Sequence, residues 1–167
     1  VGLRPLAKVH AGEQAPLADL ALPYAEYSSE DLRHRHVYVE ASRGCPFKCS
    51  FCSVWKFHES SFREKSPARV VEELKQIEAP NVFITDDIFW MNVKRGEEMA
   101  RAIQAAGIKK YFTVQTRTDT ICKFPHLIEL WKGCGSLAIF LGLESVTDEG
   151  LALVNKKNTA ANNERAI

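Results

Sequence analysis

The sequence has almost no charge imbalance: 22 Lys and Arg stand against 21 Asp and Glu, for a formal net charge of +1. Such balance gives a polyanion nothing to hold, so no nucleic-acid partner is indicated. No apolar run approaches the roughly 20 residues that span a bilayer. The N-terminus lacks the basic-then-apolar order of a secretory leader. Low-complexity tracts are missing, as is any internal repeat beyond a strand–helix rhythm. Cysteine is sparse and odd in number, five in all, which is poor material for a disulfide framework. The histidines at 10, 34, 36, 58 and 126 show no metal-binding spacing. What remains is the composition of an ordinary globular protein, 46% apolar and 26% charged, at a length that suits one domain with a real core.

Three of the cysteines fall in one short segment, Cys45-Pro46-Phe47-Lys48-Cys49-Ser50-Phe51-Cys52. The spacing is C-x3-C-x2-C, directly after the β-branched run Val37–Ala41. Three clustered thiolates are one ligand short of a closed tetrahedral site, and they suit an iron–sulfur cluster with one iron left open. The competing reading is a structural zinc knuckle with His58 as fourth ligand. Either points to a reducing compartment, and a cytoplasmic location is the expectation.

Residues 1–36 are weakly periodic and punctuated by Pro5, Pro16 and Pro23. They read as a lead-in or linker, with at most a helical turn over Ala18–Leu22. From residue 37 the pattern is regular. Strands are expected at Val37–Ala41, Val82–Thr85, Tyr111–Thr116 and Leu137–Leu141. Helices are expected from Ser66-Pro67 to Pro80, from Asn92 to Gly107, from Pro125 to Trp131, and from Thr147 to about Val154. This βα alternation makes an α/β fold, a parallel sheet with right-handed crossovers, either open and doubly wound or part of a barrel.

In both architectures the chemistry sits at the carboxyl ends of the strands. Those ends carry the cysteine loop, then Asp86-Asp87, then Gln115-Thr116-Arg117, then Gly142-Leu143-Glu144. Each has a plainer reading: an acidic helix cap, a surface ion pair, a helix N-terminal carboxylate. Cys122 and Cys134 read as small core hydrophobes. Trp55, Phe57, Phe89 and Trp90 read as packing residues. The chain starts at Val1 and stops inside the polar stretch 162–167, and it reads as an excerpt of a longer protein.

Ser42-Arg43-Gly44-Cys45-Pro46-Phe47-Lys48-Cys49-Ser50-Phe51-Cys52 resembles the cluster loop of the radical S-adenosylmethionine enzymes, down to the aromatic Phe51 before the last cysteine. The resemblance covers residues 37–167 and implies the first part, about four βα units, of that family's (β/α) barrel. It implies that Cys45, Cys49 and Cys52 hold a 4Fe–4S cluster whose fourth iron takes the amino and carboxylate groups of S-adenosylmethionine. An electron from the cluster then cleaves the C5′–sulfur bond and yields a 5′-deoxyadenosyl radical. Asp86-Asp87 stands where the family often has Gly-Gly-Glu, near the methionine amino group. Arg117, with Gln115 beside it, is placed to grip the methionine carboxylate. Gly142 lets a ligand approach the backbone, and Glu144 resembles the ribose-binding acid.

A narrower resemblance rests on Cys52-Ser53-Val54-Trp55-Lys56-Phe57, Asp86-Asp87-Ile88-Phe89, Arg117-Thr118-Asp119-Thr120 and Asn155-Lys156-Lys157-Asn158-Thr159. These segments are similar to the cobalamin-binding subgroup, and within it to the hopanoid C-3 methylases. The implied activity is methylation of an unactivated carbon of a small-molecule or lipid substrate, with cobalamin as cofactor and flavodoxin or ferredoxin as electron donor. The Asp-x-His-x-x-Gly cobalamin loop is absent from this sequence, since His10 has no Asp two residues before it. A radical enzyme without cobalamin is the same-class alternative.

Overall fold

A computed structural model describes residues 36–167. The expected lead-in and the turn at Ala18–Leu22 lie outside the described residues. Four parallel strands form one sheet: β1 (His36–Val39), β4 (Asn81–Ile84), β5 (Lys110–Thr116) and β6 (Gly135–Leu141). Between them come the short β2 (Ser42–Arg43) and β3 (Arg63–Glu64), which pair antiparallel as a separate ribbon. The helices are α1 (Val54–Phe57), α2 (Pro67–Gln76), α3 (Val93–Ala105), α4 (Thr118–Lys123), α5 (His126–Lys132), α6 (Asp148–Leu153) and α7 (Ala160–Ala166).

The order in the sheet is β1-β4-β5-β6, so each new strand is added on the same side as the last. A doubly wound sheet reverses direction at a switch point. This one does not, and its continuous progression is that of a partial (β/α) barrel. Register runs from Val39 opposite Ile84 to Thr116 opposite Leu141.

The two sheet faces differ. On one, Val39, Val82, Ile84, Phe112 and Val114 are fully buried against Val70, Leu74, Met99, Ile103, Leu127 and Trp131 from the helices. Phe89, Trp90, Phe112 and Trp131 join there as a ring cluster, with Phe89 and Trp131 centroids 4.8 Å apart. The other face exposes Tyr38, Tyr111 and Phe140. Phe57, expected to pack, is 81% exposed, because α1 is a single turn with no buried residue.

The helix signals work locally as expected. The Ser66 and Asn92 side chains accept from the backbone N–H groups of Arg69 and Arg95. Pro67 occupies the first position of α2. Cys134 is buried, but Cys122 is only partly so, and its Sγ donates to the Asn162 carbonyl at 3.3 Å. No helix among the described residues is long and apolar enough to cross a membrane.

Candidate functional site

A cleft open to solvent lies at the carboxyl ends of the four parallel strands. It is lined by Cys45, Cys49 and Cys52 with Phe51, by Asp87 after β4, by Gln115 and Arg117 at the end of β5, and by Gly142 and Glu144 after β6. Of the residues expected to hold the cluster or S-adenosylmethionine, only Asp86 does not line it.

Side-chain alternation explains the division, since successive residues of an extended strand face opposite ways. Ile84 packs into the core on the helix side and is buried. Asp86 continues the parity of Ile84 and is fully buried, while Asp87 faces the cleft. Asp86 Oδ1 accepts the Ala41 N–H at 2.7 Å, and Oδ2 accepts the Ser42 hydroxyl at 2.5 Å. Burial pushes its carboxyl up to about 6, against the opposing pull of those donors and of nearby Arg95. Asp86 therefore holds the peptide that leads into the cysteine loop and presents no oxygen to the cleft.

Asp87 Oδ2 accepts the Gly44 N–H at 2.9 Å. Gly44 has φ +91°, and a Cβ there would stand 2.3 Å from the Ser61 carbonyl oxygen, so only glycine fits ahead of Cys45. Arg95, itself buried, donates through Nη2 to the Ala41 carbonyl at 2.6 Å and through Nε to that of Lys65 at 2.8 Å. On the far side of the loop, Ser50 N–H donates to Val154 O at 3.0 Å, Asn155 Nδ2 to Lys48 O at 2.6 Å, and Trp55 Nε1 to Cys49 O at 2.9 Å. Cys49 is buried, whereas Cys45 and Cys52 are partly exposed. Burial pushes the Cys45 thiol up, a proton that any metal must displace.

Arg117 lies over the Phe47 ring, 4.0 Å from its centroid. Its fork is committed to Asp119, with Nε to Oδ1 at 2.8 Å and Nη2 to Oδ2 at 3.1 Å, and Nη2 also donates to the Lys157 carbonyl. The bidentate grip expected for a ligand carboxylate is thus already engaged. The cation that sequence reasoning missed is Lys156. It is buried, lines the cleft, and its Nζ lies 3.0 Å from Glu144 Oε1. It sits in a polar run that reads as loop, and the only signal for it is Asn155, a residue that tolerates the left-handed turn needed to send its neighbour inward.

Glu144 has φ +64°. That conformation is uncommon for a residue other than glycine, and Asn163 secures it by donating from Nδ2 to the carbonyls of both Leu143 and Ser145 at 2.8 Å. A Cβ at Gly142 would meet Glu144 Oε1 at 2.7 Å and Lys156 Nζ at 2.9 Å, so a side chain there would collide with both members of the pair.

Among the described residues no three His, Cys, Asp or Glu side chains converge on a single ion. The three thiols share one wall of the cleft, and three thiolates are a donor set that an iron–sulfur cluster takes. His58 does not line the cleft.

Residues 39–167 match the Radical SAM superfamily, and the chain belongs to that family. It is 38% identical over 129 residues to the hopanoid C-3 methylase of Methylococcus capsulatus, covering 77% of this chain and 25% of that protein. It is 30% identical over 150 residues to the anaerobic magnesium-protoporphyrin IX monomethyl ester cyclase of Cereibacter sphaeroides, covering 86% and 24%. The chain therefore spans about a quarter of the length of these curated relatives. In fold it is similar to the cobalamin-dependent S-adenosylmethionine radical enzyme OxsB, with TM-score 0.64 and 22% identity over 77% of this chain and 21% of that one.

Proposed function

We propose that the cleft is the cofactor half of a radical S-adenosylmethionine active site, with Cys45, Cys49 and Cys52 as thiolate ligands of a 4Fe–4S cluster. The observation that carries this reading is the meeting of three thiols, a carboxylate-lined wall and a buried lysine at the ends of four parallel strands. Once bound, such a cluster supplies the electron that cleaves S-adenosylmethionine reductively. A zinc knuckle fits less well, because its candidate fourth ligand, His58, does not line the cleft with the cysteines.

The chain's own residues divide the remaining work. Glu144, held left-handed, offers a carboxylate to the ribose hydroxyls. Lys156 offers its ammonium to the methionine carboxylate, with Gly142 leaving room beside the pair. Asp87 and Gln115 line the wall where the methionine amino group is expected. Phe51, at 57% exposure on the lip, and Phe140 supply apolar surface for the adenine. Arg117, neutralised by Asp119, stiffens Phe47 and the 157 backbone and supports the carboxylate site from behind.

For the whole protein we infer a radical methyltransferase that uses cobalamin and acts on an unactivated carbon of a small-molecule or lipid substrate, with a one-electron donor such as flavodoxin or ferredoxin. The methylases among the relatives and the OxsB fold support this reading.

The test is anaerobic reconstitution with iron and sulfide, read by visible and electron paramagnetic resonance spectra. Alanine at Cys45, Cys49 or Cys52 is expected to abolish the brown chromophore. Alanine at Cys122 or Cys134 is expected to leave it nearly intact. Iron loss from Cys122→Ala as complete as from Cys49→Ala would overturn the ligand assignment.

A further inference from the structure

Four consecutive residues after α6 each anchor a different part of the cleft. Val154 O accepts from Ser50 N–H, and Asn155 Nδ2 donates to Lys48 O. Lys156 Nζ pairs with Glu144, and Lys157 O accepts from Arg117. The connector thus joins the cysteine loop to the charged pair across the cleft. Asn155 is its pivot. Its φ of +51° reverses the chain, so that its own amide reaches the loop while the next side chain turns inward.

The geometry points to Asn155 as a positioning residue that couples S-adenosylmethionine binding at Lys156 and Glu144 to the conformation of the Cys45–Cys52 loop. The inference rests on the functional reading above. A ligand that draws on Lys156 pulls on the residue whose side chain holds the Lys48 carbonyl, one residue from Cys49. The coupling is reciprocal, because a loop set by its cluster presents Lys156 in the matching position.

A purely structural role for Asn155 is easy to state. The backbone at the end of α6 closes with Lys156 N–H to Leu151 O at 2.8 Å and Asn155 N–H to Ala152 O at 3.0 Å. This is the paired closure in which glycine, or failing that asparagine, takes the left-handed position. The structural role and the coupling role separate cleanly in Asn155→Gly. Glycine keeps the left-handed turn at no steric cost but has no amide to donate to Lys48.

The experiment uses the full-length protein, reconstituted anaerobically, as wild type, Asn155→Gly and Asn155→Asp. Asn155→Gly is expected to retain the wild-type melting temperature and iron content. It is expected to bind S-adenosylmethionine more weakly by up to about tenfold, the worth of one hydrogen bond fully coupled to binding. It should also lose the protection from hydrogen exchange that the ligand confers on residues 45–52. Asn155→Asp, which sets a carboxylate against the Lys48 carbonyl, is expected to weaken binding further. If Asn155→Gly matches wild type in affinity and in loop protection, the coupling is overturned while the functional reading stands. If wild type takes up no cluster, both fall together.

Discussion

The cysteine loop is fastened at its two ends by different physics. On the upstream side Asp86 and Arg95 grip Ala41 from opposite directions, one by its N–H and the other by its carbonyl, and both are buried. On the downstream side Ser50 and Lys48, both exposed, rest on Val154 and Asn155 through single neutral hydrogen bonds. The first kind of fastening is bound up with folding, since a buried charge cannot lose its partner cheaply. The second kind can open and close at small cost. If the loop holds the proposed cluster and answers to a ligand, it has reason to be rigid where it leaves the sheet and adjustable where it meets the cleft.

The largest expected effect comes from breaking the upstream side. Arg95→Met removes the donor to two carbonyls and the nearest positive charge to Asp86. It is expected to cost about 3–5 kcal/mol, the range for stranding a buried charge, read by chemical denaturation. A loss under about 1 kcal/mol, ordinary for a surface residue, would erase the contrast between the two ends.

A second effect is visible in pH. The folded state raises Asp86 from 3.8 to about 6, so folding takes up a proton in that interval. The contribution of this group to stability is therefore greatest below pH 3.8, falls as pH rises to about 6, and is level above that. The fall amounts to about 3 kcal/mol at 1.36 kcal/mol per unit. Asp86→Asn is expected to remove this component, so the wild-type-minus-variant stability should decline across the interval. A flat difference would mean that Asp86 is solvated.

The smallest effect sharpens the comparison at its boundary. Asp87→Asn keeps an oxygen for the Gly44 N–H but removes the charge, at an expected cost of about 0.5–1.5 kcal/mol. Denaturation of the variant beside Arg95→Met would show whether the upstream grip ends at Gly44.

The parallel strands and helices α2, α3 and α5 could be read from the sequence because each buries an apolar pattern, and α6 because Thr147 caps it. The strands Val82–Ile84 and Phe112–Val114 alternate, and α2 and α3 repeat Val70/Leu74 and Met99/Ile103 at helical spacing. Elements held by polar contacts left no such trace. In α4 only Thr118 and Ile121 are buried. In α7 the buried residue is Asn163, fixed by Thr118, Leu143 and Ser145. The same limit applies in the cleft. The cysteines announce themselves by spacing, and strand parity separates Asp87 from Asp86 once the strand is placed. Lys156 stands 12 residues after Glu144, beyond the chain reversal at Asn155, and only the folded backbone brings the two together.

The bond from Asn155 to Lys48 spans 107 residues of chain. During synthesis at about 5–20 residues per second, the cysteine loop emerges roughly 5–20 s before the segment that docks it. Through that interval the upstream fastening can form, because Asp86 and Arg95 follow within 54 residues of Ala41. The downstream one cannot. The nascent protein thus presents three thiols on a loop tied at one end only. Assembly of the proposed cluster is then a matter of timing, with the thiols kept reduced until the last anchor arrives.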